Sequence, residues 1–466
     1  MIFDLSKCVL DENVSIKEVL KKVDANQYGF IFTCNEVGKV VGLATDGDIR
    51  RAIISGVKID DPISKCINAD FLSASISTPR EILLKRLDSH IKFIPILDES
   101  GKLNSIISKD YLPLEEEKAT YIRSRAPVRV SFGGAGSDLT HYFEDNSGAV
   151  INAAISIYSH GVMKVRNDSK IIIRSFDLDA ILTADNLDEA ISQEGPFGLI
   201  QSLLHVVKPE YGFDMSLNSD FRVGSGLGGS ATLSAVVLGC FNTLREDQWN
   251  QHELAEIAFQ AERLHLGIAG GWQDQYAAVF GGFNFIEFHA DENVVSPIRV
   301  NSDIALELEE SLILCNTGID HHSGNIHNHQ KETMSSETVR EMVKANVKLT
   351  YEIRNHLLRG QLSKLGECLD SGWQLKRNLS SMISSEYIDD IYNGALENGA
   401  SGGKLLGAGG GGFFLFYVSP FKKHALMSYL KSRNLTLQPF RFESDGLKTW
   451  KSRENTIAIA EEKPNK

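Results

Sequence analysis

The sequence has no Cys-x-x-Cys pair, no long basic run, and no apolar stretch near the roughly 20 residues of a membrane span. Its six cysteines, Cys8, Cys34, Cys66, Cys240, Cys315 and Cys368, are widely scattered, and a reduced cytoplasmic compartment fits them. The opening stretch MIFDLSKCVLDENV carries acidic residues early and lacks a signal-peptide core. The formal net charge of −13 argues against nucleic acid or an anionic membrane as partner, while leaving room for a local basic pocket. The expectation is a cytoplasmic protein with neither kind of partner.

What is present is length and apolar content. With 466 residues, 42% of them hydrophobic, the chain is too long for one ordinary domain and rich enough for real cores. The first part reads as a weak internal repeat. GKVVGLATDGDIRRAI (38–53) joins a strand-like run to a Thr/Asp turn and a helix, and GKLNSIISKDYL (101–112) repeats the pattern one residue shorter. Each is preceded by a helical stretch and a short apolar strand, and such half-units need each other to bury their apolar faces. The charged PLEEEKAT (113–120) reads as a linker.

The texture changes from Tyr121 onward. SRAPVRVSFGG, GAVINAAISIYSHGVMKV, KIIIRSF and FDMSLN read as strands. Helical spacing follows over 228–246 and 251–266 and dominates 335–398, with a late helix at HALMSYLKSR. SLILCNTG reads as a buried strand, and KLLGAGGGGFFLFYV (404–418) as a glycine loop entering another. Strands first and helices later imply an α+β layout rather than a doubly wound sheet.

The stretch RVGSGLGGSATLSAVVLGC (222–240) places Gly224, Gly226 and Gly229 in a G-x-G-x-x-G spacing. A dinucleotide site is disfavoured, because no strand ending in a lone acid follows the helix. A Walker loop is excluded, because no Lys-Ser/Thr pair closes it. What remains is a backbone cradle for an anion at the start of a helix near Gly228, or a tight packing turn. Ser230 and the second glycine loop, 407–412, favour phosphate. Phosphoryl transfer also needs a metal, a group for the acceptor and positive charge. Glu262 and Asp274 in AERLHLGIAGGWQDQYAAVFGG (261–282) are candidates, although alone they read better as a surface helix carboxylate and a helix cap.

Three stretches together resemble the motifs of the galactokinase, homoserine kinase, mevalonate kinase and phosphomevalonate kinase (GHMP) superfamily: APVRVSFGGAGSDL (126–139), GSGLGGSATLSA (224–235) and KLLGAGGGGFFLF (404–416). With GGWQDQYAAVFGGFNFIEF (270–288), the chain looks most like the D-glycero-D-manno-heptose 7-phosphate kinase branch, over roughly 121–455. The resemblance implies an α+β GHMP kinase fold, with a ribosomal S5-like first half (122–302) and a ferredoxin-like second half (303–466). It further implies that Gly224, Ser225, Gly226, Leu227, Gly228, Gly229 and Ser230 wrap the ATP phosphates, and that Ser230 and Glu262 bind Mg²⁺. Asp274 is implied as the catalytic aspartate, Arg129 as the basic residue beside it, and Asp138, Gly134, Gly409 and Gly410 as substrate contacts. Gly229 departs from the serine common in relatives, and Trp272 has no implied role. A substrate phosphate would need a cation, for which Arg123, Arg125, Arg222 and Lys404 are candidates.

DHHSGNIHNHQK (320–331) offers His321, His322, His327 and His329, but the spacing matches no standard zinc pattern, and a polar loop near the sugar is the better reading. Residues 1–112, ahead of a linker at 113–121, resemble a pair of CBS modules, small α/β regulatory units. GLATDGD (42–48) implies an adenine nucleotide met by Thr45 at phosphate and Asp48 at ribose. The second half is degraded and offers Ser108 and Asp110, or Tyr111 if no gap is placed. A ligand-free dimerisation platform is the alternative, which leaves room for a homodimer. The combined expectation is an ATP- and Mg²⁺-dependent sugar kinase acting on a sugar phosphate. A kinase of the same fold for fucose or galactose, or an inert nucleotide-sensing protein, are its rivals.

Overall fold

The structure, a computed structural model, describes residues 3–87, 91–112, 120–222, 224–319 and 323–453. The chain separates into two units, Met1–Glu117 and Lys118–Lys466.

The first unit is built twice over. Strand β1 (Val9–Asp11) lies parallel to β2 (Phe30–Cys34), which pairs antiparallel with β3 (Val40–Thr45). Strands β4 (Ala74–Ser75), β5 (Phe93–Leu97) and β6 (Leu103–Ser108) repeat that order and sense. The amphipathic helix Ile16–Asn26 buries Ile16, Val19 and Val23, spaced three and four residues apart, on the first sheet. The halves share a core in which Phe30 stacks on Phe93 with ring centroids 3.8 Å apart.

The second unit holds two sheets. The larger runs β10 (Ala180–Ala184), β9 (Ile171–Ser175), β11 (Phe213–Ser219), β8 (Gly148–Val165), β12 (Phe283–Phe288), β13 (Asn293–Pro297), with β7 (Thr120–Gly133) also paired to β8. Strand β18 (Lys448–Arg453) returns from the far end of the chain to pair with β7, Lys448 opposite Arg125. Chain beyond residue 302 is therefore not confined to the second sheet. The smaller sheet is β15 (Ala400–Leu405), β16 (Phe413–Val418), β14 (Leu312–Asn316), β17 (Thr436–Gln438), all antiparallel.

The long strand β8 is buried on both faces over its first eight residues and alternates thereafter. Helices Gly229–Asn242, Gln273–Phe280 and Glu337–Leu358 all pack on it. The small residues that open 229–242 have a packing reason. That helix buries Ala231, Thr232 and every residue from Ser234 to Phe241, so it is apolar nearly all round, as a central helix must be. A Cβ at Gly239 would stand 2.8 Å from Thr449 of β18.

Candidate active site

Gly228 starts the active-site helix. It is the N-cap of Gly229–Asn242 in a left-handed conformation (φ 84°), with no side chain capping the first turn. The N–H groups there remain free for an anion, at the positive end of a long helix. The second glycine loop lies directly against the first: a Cβ at Gly407 would stand 2.7 Å from Gly226 O. No strand follows the helix to form a dinucleotide-binding unit; the next elements are helix Gln251–Phe259 and a π-helical turn, Gln260–His265.

Arg129 projects from β7 to the same place. Its Nε and Nη2 donate to Asp274 Oδ1 and Oδ2, both at 2.9 Å, and its Nη1 donates to Gly226 O at 2.9 Å. Arg129 is 3% exposed. Asp274, in the first turn of Gln273–Phe280, keeps a quarter of its side chain exposed. Gly228 admits this carboxylate: a Cβ there would lie 3.3 Å from Asp274 Cγ. Asp138 sits nearby, its Oδ2 accepting from the Gln273 N–H at 3.4 Å. Burial and the charge of Asp274 push the Asp138 carboxyl up to about 6. Trp272 joins these parts. It stacks on Phe259 at 3.6 Å, donates Nε1–H to Thr140 Oγ1 at 3.1 Å, and its backbone N–H meets Asp138 O at 3.1 Å.

Arg129, Asp138, Glu262, Asp274, Ser230 and the loop glycines 224, 226, 228 and 229 line one cavity of about 840 Å³. Glu262 is 2% exposed and occupies the π-helical turn, where Leu266 N–H reaches back five residues to Ala261 O. One of its oxygens accepts from Gln275 Nε2 at 2.8 Å, and the other pairs with Arg263 at 3.1 Å. Among the described residues no three His, Cys, Asp or Glu side chains cluster as a metal cage. One buried carboxylate and one exposed serine hydroxyl lining the same cavity fit Mg²⁺, which retains waters and phosphate oxygens and takes few protein ligands.

Beside the second glycine loop the cavity turns cationic. Lys404, on β15, is 4% exposed and reaches Ser131 Oγ at 3.5 Å. Lys376, 2% exposed, donates to Leu405 O at 2.7 Å and Gly407 O at 2.6 Å. Burial, then the charge of Arg129, bring the Lys404 ammonium down to about 7. Burial, then the charge of Lys404, hold Lys376 well below the usual lysine range. Sequence reasoning missed Lys376, an unremarkable position on helix Leu362–Arg377 that only tertiary packing buries. Lys404 carries a visible signal, a lone cation inside an apolar strand pattern.

Several expected contacts lie elsewhere. Gly134 does not line the cavity; with φ 87° it packs onto Ala149 O, which a Cβ would approach to 2.1 Å. Gly409 and Gly410 turn onto Ile383, whose carbonyl accepts from Gly410 N at 2.8 Å, and Gly407 and Ala408 line the cavity in their place. Leu227 points into the core, and its carbonyl accepts from Arg129 N on β7. Arg123 bonds Ser452 and Arg125 packs on Tyr158, both outside the cavity, while Arg222 lines a second hollow. The expected polar loop is helix Ser323–Thr333, from which Asn325, His327 and Gln330 line the cavity. Burial pushes the His327 ring down to about 4, and His329 turns away to Ser380. His321 and His322 lie outside the described residues.

In the first unit, Thr45 and Asp48 engage each other. They form a capping box on helix Asp46–Ile54, with Thr45 Oγ1 donating to Asp48 Oδ2 at 2.6 Å and Arg51 pairing with the same carboxylate. Ser108 is bound in a turn with Tyr111, Tyr111 N–H meeting Ser108 Oγ at 3.2 Å.

Residues 198–282 match the GHMP kinases N terminal domain, and 353–432 match GHMP kinases C terminal. The chain is 35% identical to the D-glycero-alpha-D-manno-heptose 7-phosphate kinase of Campylobacter jejuni over 336 residues, 71% of this chain and 99% of that one. The chain belongs to the GHMP kinase family. It is an ATP-dependent carbohydrate kinase. The galactokinase of Pyrococcus furiosus is 24% identical over 65% of this chain and 90% of its own. A D-glycero-D-manno-heptose 1-phosphate kinase crystal structure from Bacteroides thetaiotaomicron superposes with a TM-score of 0.58 at 27% identity, over 72% of this chain and all of that one. Residues 6–55 match the CBS domain. That match ends with the first half-unit, although β4 to β6 repeat its strand order.

Proposed function

We propose that this kinase transfers the γ-phosphoryl group of ATP to the anomeric hydroxyl of D-glycero-D-manno-heptose 7-phosphate, giving the 1,7-bisphosphate used to make GDP-heptose. The observation that carries the transfer chemistry is the Asp274 carboxylate, held by Arg129 and touching Gly228 of the phosphate cradle. The choice of sugar rests on the likeness to the Campylobacter jejuni heptose 7-phosphate kinase.

In this reading the loop 224–230 and its helix bind the ATP phosphates. The apolar end of the cavity, with Leu178, Pro196, Phe197, Leu199 and Ile200, takes the purine ring. Ser230 and Glu262 hold Mg²⁺, which when bound offsets charge on the phosphate oxygens. The sugar O1 attacks the γ-phosphorus, the bond to the bridging oxygen breaks, ADP leaves with that electron pair, and Asp274 receives the O1 proton. Arg129 orients the carboxylate and offsets charge, and Asp138 contacts a sugar hydroxyl. The first unit binds an adenine nucleotide through Thr45 and Asp48 once their capping contacts rearrange.

The test is ADP release with Mg-ATP against heptose 7-phosphate, mannose 6-phosphate, mannose, galactose and fucose. Turnover confined to the heptose phosphate is expected. Turnover of a neutral sugar alone overturns the choice of substrate and keeps the transfer chemistry.

A further inference from the structure

Two basic side chains of the cavity take part in none of its ion pairs. Arg129 is matched by Asp274 and Arg263 by Glu262. Lys404 and Lys376 are left over. Among the described residues neither has a carboxylate at ion-pair distance. Lys376 spends two of its three donors on the carbonyls of Leu405 and Gly407, so it holds the loop that follows Lys404. Lys404 has one long hydrogen bond to a hydroxyl, and no other partner among the described residues. A buried ammonium without an anion is costly, and the cost is removed by a charged ligand.

We propose that Lys404 is the anchor for a phosphomonoester carried by the acceptor sugar, with the free donor of Lys376 as its second contact. This rests on the reading of the cavity as a sugar kinase site and assigns its preference for an anionic acceptor to one residue. The place is specific. Lys404 lies beside Ser131 on β7, two residues past Arg129, whose own Nη1 donates to Gly226 O. With the glycine loop filled by ATP, this ammonium is the cavity cation left for the acceptor. Asn325, His327 and Gln330 line the same cavity and supply uncharged polar groups for hydroxyls, so charge recognition falls to the lysines.

The experiment is thermal stability of the full chain held with Mg²⁺ and AMPPNP, so that the glycine loop is filled, on adding heptose 7-phosphate, mannose 6-phosphate or inorganic phosphate, with mannose as the neutral control. The three anions are expected to stabilise wild type and to lose that effect in Lys404→Met, while Lys404→Arg recovers part of it. In steady state, Lys404→Met should raise KM for the phosphorylated acceptor by about 10- to 100-fold, the scale of one charge-assisted bond, with little change in KM for ATP. If Lys404→Met does not fold, Lys404→Gln serves in its place. Stabilisation by anions that survives loss of the ammonium, an absent anion effect in wild type, or a rise confined to the KM for ATP each overturn the proposal. The binding readout needs no turnover, so a failed choice of sugar leaves it standing or falling by itself.

Discussion

Arg129 and Asp274, 145 residues apart in the chain, meet through two parallel hydrogen bonds at 2.9 Å. The guanidinium comes from a strand and the carboxylate from the first turn of a helix, and the third arm of Arg129 holds the glycine loop by Gly226 O. One side chain therefore ties the first glycine loop to the Asp274 carboxylate. Bidentate pairing of this kind sets direction as well as distance.

Asp274→Asn keeps the size and removes the charge. Turnover should fall by roughly two to four orders of magnitude while the fold survives, as read from initial rates and circular dichroism. Near-normal turnover would remove Asp274 from the chemistry.

Ser230→Ala should raise the Mg²⁺ concentration needed for half-maximal rate without disturbing the helix it opens. Glu262→Gln should do so more strongly, because it also leaves Arg263 without its anion. Mg²⁺ titrations of the rate check both; an unchanged metal requirement argues against either as ligand.

The pH dependence follows from the lysine pocket. Lys404 in the free enzyme is brought down to about 7 by burial and Arg129, with Asp138 pulling the other way. Below that pH it is charged and binds an anion; as pH rises through it the charge is lost. For a phosphorylated acceptor kcat/KM should therefore fall above about pH 7. Lys404→Arg, which stays charged, should carry the plateau to higher pH. A profile that stays flat to pH 9 in wild type contradicts the assignment.

Gly134→Ala tests the correction at the first motif. A Cβ would stand 2.1 Å from Ala149 O, at a backbone φ of 87°. The variant should lose about 2–4 kcal/mol of stability in denaturant unfolding. A stable variant with weakened sugar binding would instead restore the substrate contact.

Much of this was legible in order and type. The strands of 120–219, the helices of 337–397 and both glycine loops stand where period and turn residues put them, because local backbone preference sets them. Other features escaped. The π-helical turn that carries Glu262 has no local signature in QAERLH. Trp272 earned its role only once Phe259 and Thr140 were beside it. Gly134, Gly409 and Gly410 read as substrate contacts because a glycine motif does not say whether its missing Cβ makes room for a ligand or for the chain itself.

By itself, then, the sequence carried the family motifs and a glycine loop at the start of a helix, and through the resemblance they imply it singled out Arg129, Glu262 and Asp274. Motifs are short-range patterns, readable within a local window. Only the tertiary structure decided that Lys376 and Lys404 are buried and line one cavity, that Thr45 and Asp48 cap a helix, and that β18 closes onto β7. Burial and charge balance arise between segments far apart in the chain, and no local window contains them.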